Sequence, residues 1–204
     1  MKPFLAIATF TVAALSLPAA VLAQADTNAD AVQAGSYTLD SAHTLAQFSV
    51  NHFGISDFFG TFPGATGTLS LDPKNLATTK LDVSVPVATV STTNKKLDEE
   101  LAGADWLDAG KYPAMRFVST KVTRTGKGTA TITGNLTLHG VTRPATLNAS
   151  FHAAAVNPMK KAYTIGFNAT GTIKRSDFGV SKYVPLVSDE TRLTITAAFE
   201  KTAG

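Results

Sequence analysis

The stretch Thr129-Ala-Thr-Ile-Thr-Gly-Asn-Leu-Thr-Leu138 decides the fold class. Ile132, Leu136 and Leu138 share one face of an extended chain, and Thr131, Thr133, Asn135 and Thr137 share the other. A period of two with threonine-rich outer positions is the pattern of a half-buried antiparallel strand. The pattern recurs in both directions along the chain. Toward the N terminus lie Leu45 to Val50, Thr66 to Leu71 closed by Asp72-Pro73, the alternating Leu81, Val83 and Val85, and Met115 to Val122. Toward the C terminus lie Leu147 with Phe151, then Tyr163, Ile165, Phe167 and Ala169, then Leu193, Ile195, Ala197 and Phe199. Gly126-Lys127-Gly128 and Asn157-Pro158 are turn signals between them. One segment departs from this pattern. Asn94 is placed to cap a helix from Lys95 to about Ala102, and Gly103 to end it. Leu97 and Leu101 share a face of that helix, with Lys95 and Glu99, and Lys96 and Glu100, four apart on the solvent side. Eight or so strands with one short helix make an all-β chain. An up-and-down antiparallel barrel with a helical plug or flap, and a two-sheet sandwich, both show this alternation.

Composition narrows the function. The chain has 204 residues, 44% apolar and 16% charged, which suits one domain with a real core and excludes wholesale disorder. It contains no cysteine, so disulfides, thiolate metal sites and a cysteine nucleophile are excluded. A net charge of +3 is too small an excess for the dense basic stripe of a nucleic-acid binder. Lys2, the apolar run Phe4 to Leu17, Pro18 and small residues up to Ala23 or Ala25 read as a secretory signal peptide over residues 1–23. That run is too short for a membrane span. Its removal takes the 18 basic side chains to 17, against 15 acidic ones. Residues 24–35 read as a flexible leader and 36–204 as a single domain.

Catalytic and metal signals are weak. Asp40-Ser41-Ala42-His43 gathers an acid, a hydroxyl and an imidazole, which keeps an exported hydrolase or isomerase using His43 and Asp40 as an alternative. In an extended chain, however, Asp40 and His43 point to opposite faces. No Gly-x-Ser-x-Gly elbow occurs. The four histidines, His43, His52, His139 and His152, show no tight ligand spacing, so no metal site is expected. The unusual feature is aromatic: Phe48, Phe53, Phe58, Phe59 and Phe62 crowd one stretch with Gly54, Gly60 and Gly64 among them. Alternation fails there, and a loop so rich in Phe either caps a core or lines an apolar opening. In a barrel of about eight strands the interior can hold a ligand.

Four blocks in order carry a resemblance to a known family. They are Tyr37-Thr-Leu-Asp40-Ser-Ala-His43 with Phe48-Ser-Val-Asn-His52 and Gly60-Thr-Phe62; Asp105-Trp106-Leu107-Asp108 leading to Tyr112-Pro113-Ala-Met-Arg-Phe117-Val-Ser119; Ile132-Thr-Gly134-Asn-Leu136-Thr-Leu138-His139-Gly140-Val-Thr142-Arg-Pro144; and Gly171-Thr-Ile173-Lys-Arg175-Ser176-Asp-Phe178-Gly179. The chain resembles the YceI-like, or polyisoprenoid-binding, proteins from Tyr37 to Phe199. The resemblance implies an elongated, lipocalin-like antiparallel β-barrel in the periplasm. Its apolar tunnel holds a long-chain isoprenoid lipid such as an isoprenoid quinone, without catalysis and with no cofactor beyond that ligand. It adds transient membrane contact and homodimer formation to the expectations. A ligand-free, stress-protective barrel with a filled interior is the third reading. Expected to line or gate the tunnel are Phe53, Phe58, Phe59, Phe62, Trp106, Met115, Phe117 and Phe178, with Arg175 and His43 or His52 facing a polar headgroup. Many relatives carry Arg and His where this chain has Leu97 and Glu100, so a headgroup contact made from those positions is altered here. An eight-unit tail of about forty carbons would gain on the order of 30 kcal/mol gross at roughly 0.8 kcal/mol per CH₂. Affinities saturate well below that, so tunnel length, rather than fine contact, sets which tail fits.

Overall fold

A computed structural model describes residues 25–202. The signal-peptide reading of residues 1–23 lies outside the described residues. The elements in order are β1 (Gly35–Leu39), β2 (Leu45–His52), β3 (Ser56–Phe62), β4 (Thr66–Leu71), β5 (Lys80–Pro86), α1 (Lys95–Ala102), β6 (Ala114–Gly126), β7 (Thr129–Leu138), β8 (Val141–Val156), β9 (Tyr163–Lys174) and β10 (Glu190–Lys201). All pairings are antiparallel, and the sheet closes through β1 and β10. Both β1 and β2 pair with β10, β1 along its C-terminal half and β2 along its N-terminal half. They are therefore two halves of one bent strand, broken by the 3₁₀ turn Ser41–His43. In the same way β3 pairs with β2 and β4 with β1, with Pro63-Gly64-Ala65 at the bend. Counted so, the ten strands form the eight staves of a closed up-and-down barrel, and the sandwich is excluded.

The Phe-rich stretch is not the expected loop: most of it is β3. Phe58, Gly60 and Phe62 face inward and Phe59 outward. A glycine in the inward register leaves a blank that hides the period of two. Gly60 sits opposite Phe48, and a Cβ there would collide with the Phe48 ring.

At one end β5 stops at Pro86, so most of the outer edge of β3 has no strand beside it. The chain 87–113 covers that quadrant. It is tied to β3 through Thr61 and Ser91, whose N–H groups donate to each other's carbonyls at 2.8 and 2.9 Å, and it contains α1. The helix has the expected bounds: Asn94 caps it by accepting from the Leu97 N–H, and Gly103 follows it. Lys95 lies 4.0 Å from Glu99, but Glu100 turns inward instead of pairing with Lys96. Glu100 stands three residues after Leu97, on the same face as Leu97 and Leu101.

The opposite end is closed by the stretch expected to be a flexible leader. Asp26 exchanges backbone hydrogen bonds of 2.8 Å with Ala154, Asp30 pairs with Arg124 at 3.1 Å, and Val32 is buried in the core beside Leu71, Ile165 and Phe199. Tyr37 donates its hydroxyl to the Gln33 carbonyl, and burial, with Tyr163 nearby, raises its pKa to about 12. This stretch packs because its apolar residues cover a barrel mouth that would otherwise expose the core to water.

Candidate functional site: an apolar bore and the chamber above it

Inward residues of the barrel enclose two abutting cavities. The lower, of about 270 Å³, runs down the bore between Leu69, Val83, Phe117, Leu136, Ala169 and Ile195 toward Phe151, Phe167 and Phe199, with Ala29 and Val32 at its floor. The upper, of about 500 Å³, lies beneath α1 among Val50, Phe58, Leu97, Leu101, Trp106 and Val187. Phe48, Phe62, Met115, Leu138, Ile173 and Leu193 line both. The Phe48 and Phe62 rings, 5.4 Å apart, stand at the border. The upper volume lies within the roughly 300–1,000 Å³ of small-molecule sites. The lower wall is apolar save for a few groups such as Gln47, Thr79, Arg116 and Arg124.

Polar groups concentrate in the upper chamber. Arg175 is buried, and its guanidinium donates from Nε to Ser188 O at 2.9 Å, from Nη1 to Val180 O at 2.9 Å and from Nη2 to Val187 O at 2.8 Å. Its carbon lies 5.6 Å from the centre of the Trp106 ring. Burial lowers its pKa, with Asp189 opposing. Asp189 itself accepts from the Ser176 N–H and hydroxyl at 2.8 and 2.7 Å. Trp106 donates its indole N–H to Glu100 at 3.1 Å, and Lys182 reaches Glu100 and Asp105 at 3.7 and 3.2 Å. The flap is therefore latched to the loop after β9 by charge and ring stacking together.

Phe58, Phe62, Trp106, Met115, Arg175 and His52 line the upper chamber, and Phe117 lines the bore. Leu97 and Glu100, the two positions where the resemblance implies an altered headgroup contact, also line the chamber. Four expected residues do not line either cavity: Phe53, Phe59, Phe178 and His43. Phe53 sits at the β2–β3 turn with φ 57° and is half exposed. Phe59 falls in the outward phase of β3. Phe178 is buried, its carbonyl 3.1 Å from His139 Nδ1. His139 and Gly140, with φ of 51° and 74°, form the two-residue turn between β7 and β8, so that block of the family pattern is a hairpin device.

His43 belongs to a different cluster. The 3₁₀ turn brings its Nδ1 to 2.7 Å from Asp40 Oδ2, correcting the extended reading that kept them apart. Lys160 reaches the same oxygen at 2.9 Å and Glu200 at 2.7 Å. Burial pushes the Asp40 carboxyl up, but the hydrogen bonds from Lys160 and His43 outweigh it and hold its pKa at about 2. The cluster clamps the β8–β9 turn onto the bend of the first stave, and its imidazole faces solvent. Among the described residues no group of three His, Cys, Asp or Glu could hold a metal ion.

Sequence reasoning did not single out Tyr183 or Thr191 for the upper chamber. Tyr183 lies in a loop without periodicity, whereas Thr191 carries a signal: it is two residues before Leu193, in the inward phase of β10.

The model of the YceI-like domain matches residues 37–199. The chain belongs to the YceI-like family. A UPF0312 protein of Pseudomonas savastanoi pv. phaseolicola is 38% identical over 167 residues, covering 81% of this chain and 86% of its own. BcnA of Burkholderia cenocepacia has the same fold, with a TM-score of 0.71 and 24% identity over 78% of this chain and 98% of its own. A polyisoprenoid-binding domain from Saccharophagus degradans, implicated in plant cell wall breakdown, superposes with a TM-score of 0.58 at 12% identity, covering 83% of this chain and all of that domain. The YceI-like match thus spans every stave of the barrel.

Proposed function

We propose that this YceI-like protein is an exported, periplasmic carrier that holds a long-chain isoprenoid lipid, such as an isoprenoid quinone, with its tail in the bore. The observation that carries this reading is the apolar bore opening onto a chamber whose mostly apolar lining also holds His52, Glu100 and Arg175. That is the shape of an amphipathic molecule. The fold shared with a polyisoprenoid-binding domain supports it. At roughly 3.3 Å per residue and a tilt near 40°, the 16 residues of β8 span about 40 Å along the axis, long enough to shelter several prenyl units. The hydrolase alternative would rest on Asp40 and His43, which lie away from both cavities.

The rim of the upper chamber supports delivery at a membrane surface. Phe53 and Ile55 from the β2–β3 turn stand exposed beside Tyr183, Val184 and Leu186, the two loops joined by the Phe53 N–H donating to Leu186 O at 2.7 Å. Exposed apolar patches of this kind mark interaction sites. Homodimer formation belongs to the same proposal, and sizing chromatography tests it.

The test of the carrier itself is direct. Protein purified from a bacterial periplasm is extracted with organic solvent and the extract analysed by mass spectrometry. A stoichiometric prenyl lipid is expected. No copurifying lipid, together with no uptake of added prenyl quinone, overturns the carrier reading. N-terminal sequencing of the exported protein is expected to start after Ala23 or Ala25.

A further inference from the structure

The far end of the bore is floored by chain that precedes the first strand. Ala29 and Val32 line the lower cavity together with Phe151, Phe167 and Phe199. They reach it because β8 outruns β7. Ser150 pairs with Thr129 at the start of β7, and Phe151 to Val156 continue past it. β7 offers no partner to that overhang, and an open strand edge is a template for another chain. Asp26 takes the place, exchanging two backbone hydrogen bonds of 2.8 Å with Ala154. The two strands that the strap 26–33 crosses both shift register where it lands, β8 between Phe151 and Ala153 and β6 between Arg124 and Gly126. Bulges at a barrel rim end pairing and re-aim side chains. Arg124, at the second of them, pairs with Asp30 at 3.1 Å.

The strap is held differently from the staves. Val32, 6% exposed, is the one buried residue among 26–33. The other ties lie at the surface: the Asp26–Ala154 bridge, the exposed Asp30–Arg124 pair, and the Gln33 side chain, which accepts from Lys201 Nζ at 2.8 Å. Exposed ion pairs contribute little to stability. Segments with few buried apolar contacts open before the body of a protein does. One buried valine among surface bonds makes a stopper rather than a stave.

We propose that residues 26–33 are a detachable floor, which blinds a second mouth of the bore and so fixes the longest apolar chain the bore accepts. The detachable floor stands on the geometry, while the length selection rests on the carrier reading above. With the strap seated, a tail entering from the chamber ends on Val32 and Ala29. With the strap released, Phe151, Phe167 and Phe199 rim an opening, and a longer tail runs on past them.

The experiment measures binding of linear prenyl alcohols of increasing length, from farnesol to solanesol, to the full protein and two variants. Ala29→Phe raises the floor, and Val32→Asp puts a charge at the buried anchor and releases the strap. Each CH₂ kept out of the bore lowers affinity about fourfold. In the wild type, affinity is expected to climb with length up to a cut-off. Ala29→Phe is expected to move the cut-off to shorter chains and to weaken the longest chain the wild type accepts about tenfold or more. Val32→Asp is expected to move the cut-off to longer chains, with farnesol affinity unchanged in both variants. Amide hydrogen exchange reads the detachment itself: Asp26 and Ala154 lose protection in Val32→Asp, while β9 and β10 keep theirs. No cut-off through solanesol in the wild type, or the same cut-off in all three proteins, overturns the floor and leaves the carrier standing. An equal loss for farnesol and the longer alcohols in Ala29→Phe overturns it too. Loss of protection throughout β9 and β10 in Val32→Asp overturns the detachment, and Ala29→Phe still decides the floor. A wild type that binds no prenyl alcohol overturns the length selection and the carrier reading together.

Discussion

Asp40 gathers His43, Lys160 and the Ala42 N–H around one buried carboxylate at the bend between β1 and β2. Its pKa falls from 3.8 to about 2, so the ionised form is favoured by the fold. The stability it adds is full above the ordinary carboxylate pKa and is lost as pH falls through the lowered value. Thermal melts of the wild type should therefore drop between about pH 4 and pH 2, and Asp40→Asn should flatten that drop. At neutral pH the same variant leaves Lys160 and His43 without their shared acceptor and should cost about 1–3 kcal/mol in denaturant unfolding. Gly60 matters for the opposite reason, an absence of atoms. The Phe48 ring occupies the space a side chain would take, so Gly60→Val pushes that ring off the border between chamber and bore. Overpacking of this kind costs about 1–3 kcal/mol, read from the same denaturant titration. Neither role is legible in the residue types alone. An acid and an imidazole three apart read as opposed in an extended chain, and only the 3₁₀ turn joins them.

Among the elements, the flap of α1 and the residues after it covers the chamber. The helix was legible because capping, the four-residue spacing of Leu97 and Leu101 and the terminal Gly103 are local signals. What it covers was not legible, since that depends on β5 stopping short beside β3. Trp106 donates to Glu100 within the flap and ties the flap to Arg175 and Tyr183. Trp106→Ala should loosen this latch, and bound lipid should leave faster by on the order of tenfold or more, with less change in the on-rate. Stopped-flow displacement of a fluorescent prenyl analogue measures both. β3 shows how one residue can hide an element. Phe58, Gly60 and Phe62 keep strand phase, but a period counted on side chains loses its beat at a glycine.

For the whole molecule, the bore and the rim make separate predictions. Ala169 faces the middle of the bore on β9. Ala169→Phe should shorten the space below it, so uptake of long-tailed prenyl quinones falls while a short-tailed analogue of the same head still binds. A series of tail lengths in a binding titration reads the cut-off. The rim is tested at Ile55, which is 85% exposed and makes no demand on the core. Ile55→Asp should leave lipid affinity intact and reduce cosedimentation with phospholipid vesicles.

β2, the strands from β4 onward, the single helix and the inward faces of these staves were set by the sequence itself. Alternation, capping and turn residues act over a few neighbours and need no partner to be read. The tertiary structure alone decided that β1 with β2 and β3 with β4 are bent single staves, that the sheet closes through β1 and β10, and which rings reach the cavity. It alone set Lys160 on Asp40, 120 residues away. Closure and register are relations between distant segments. Shifting one stave by one residue would exchange every inward side chain for an outward one while leaving each strand's own pattern intact.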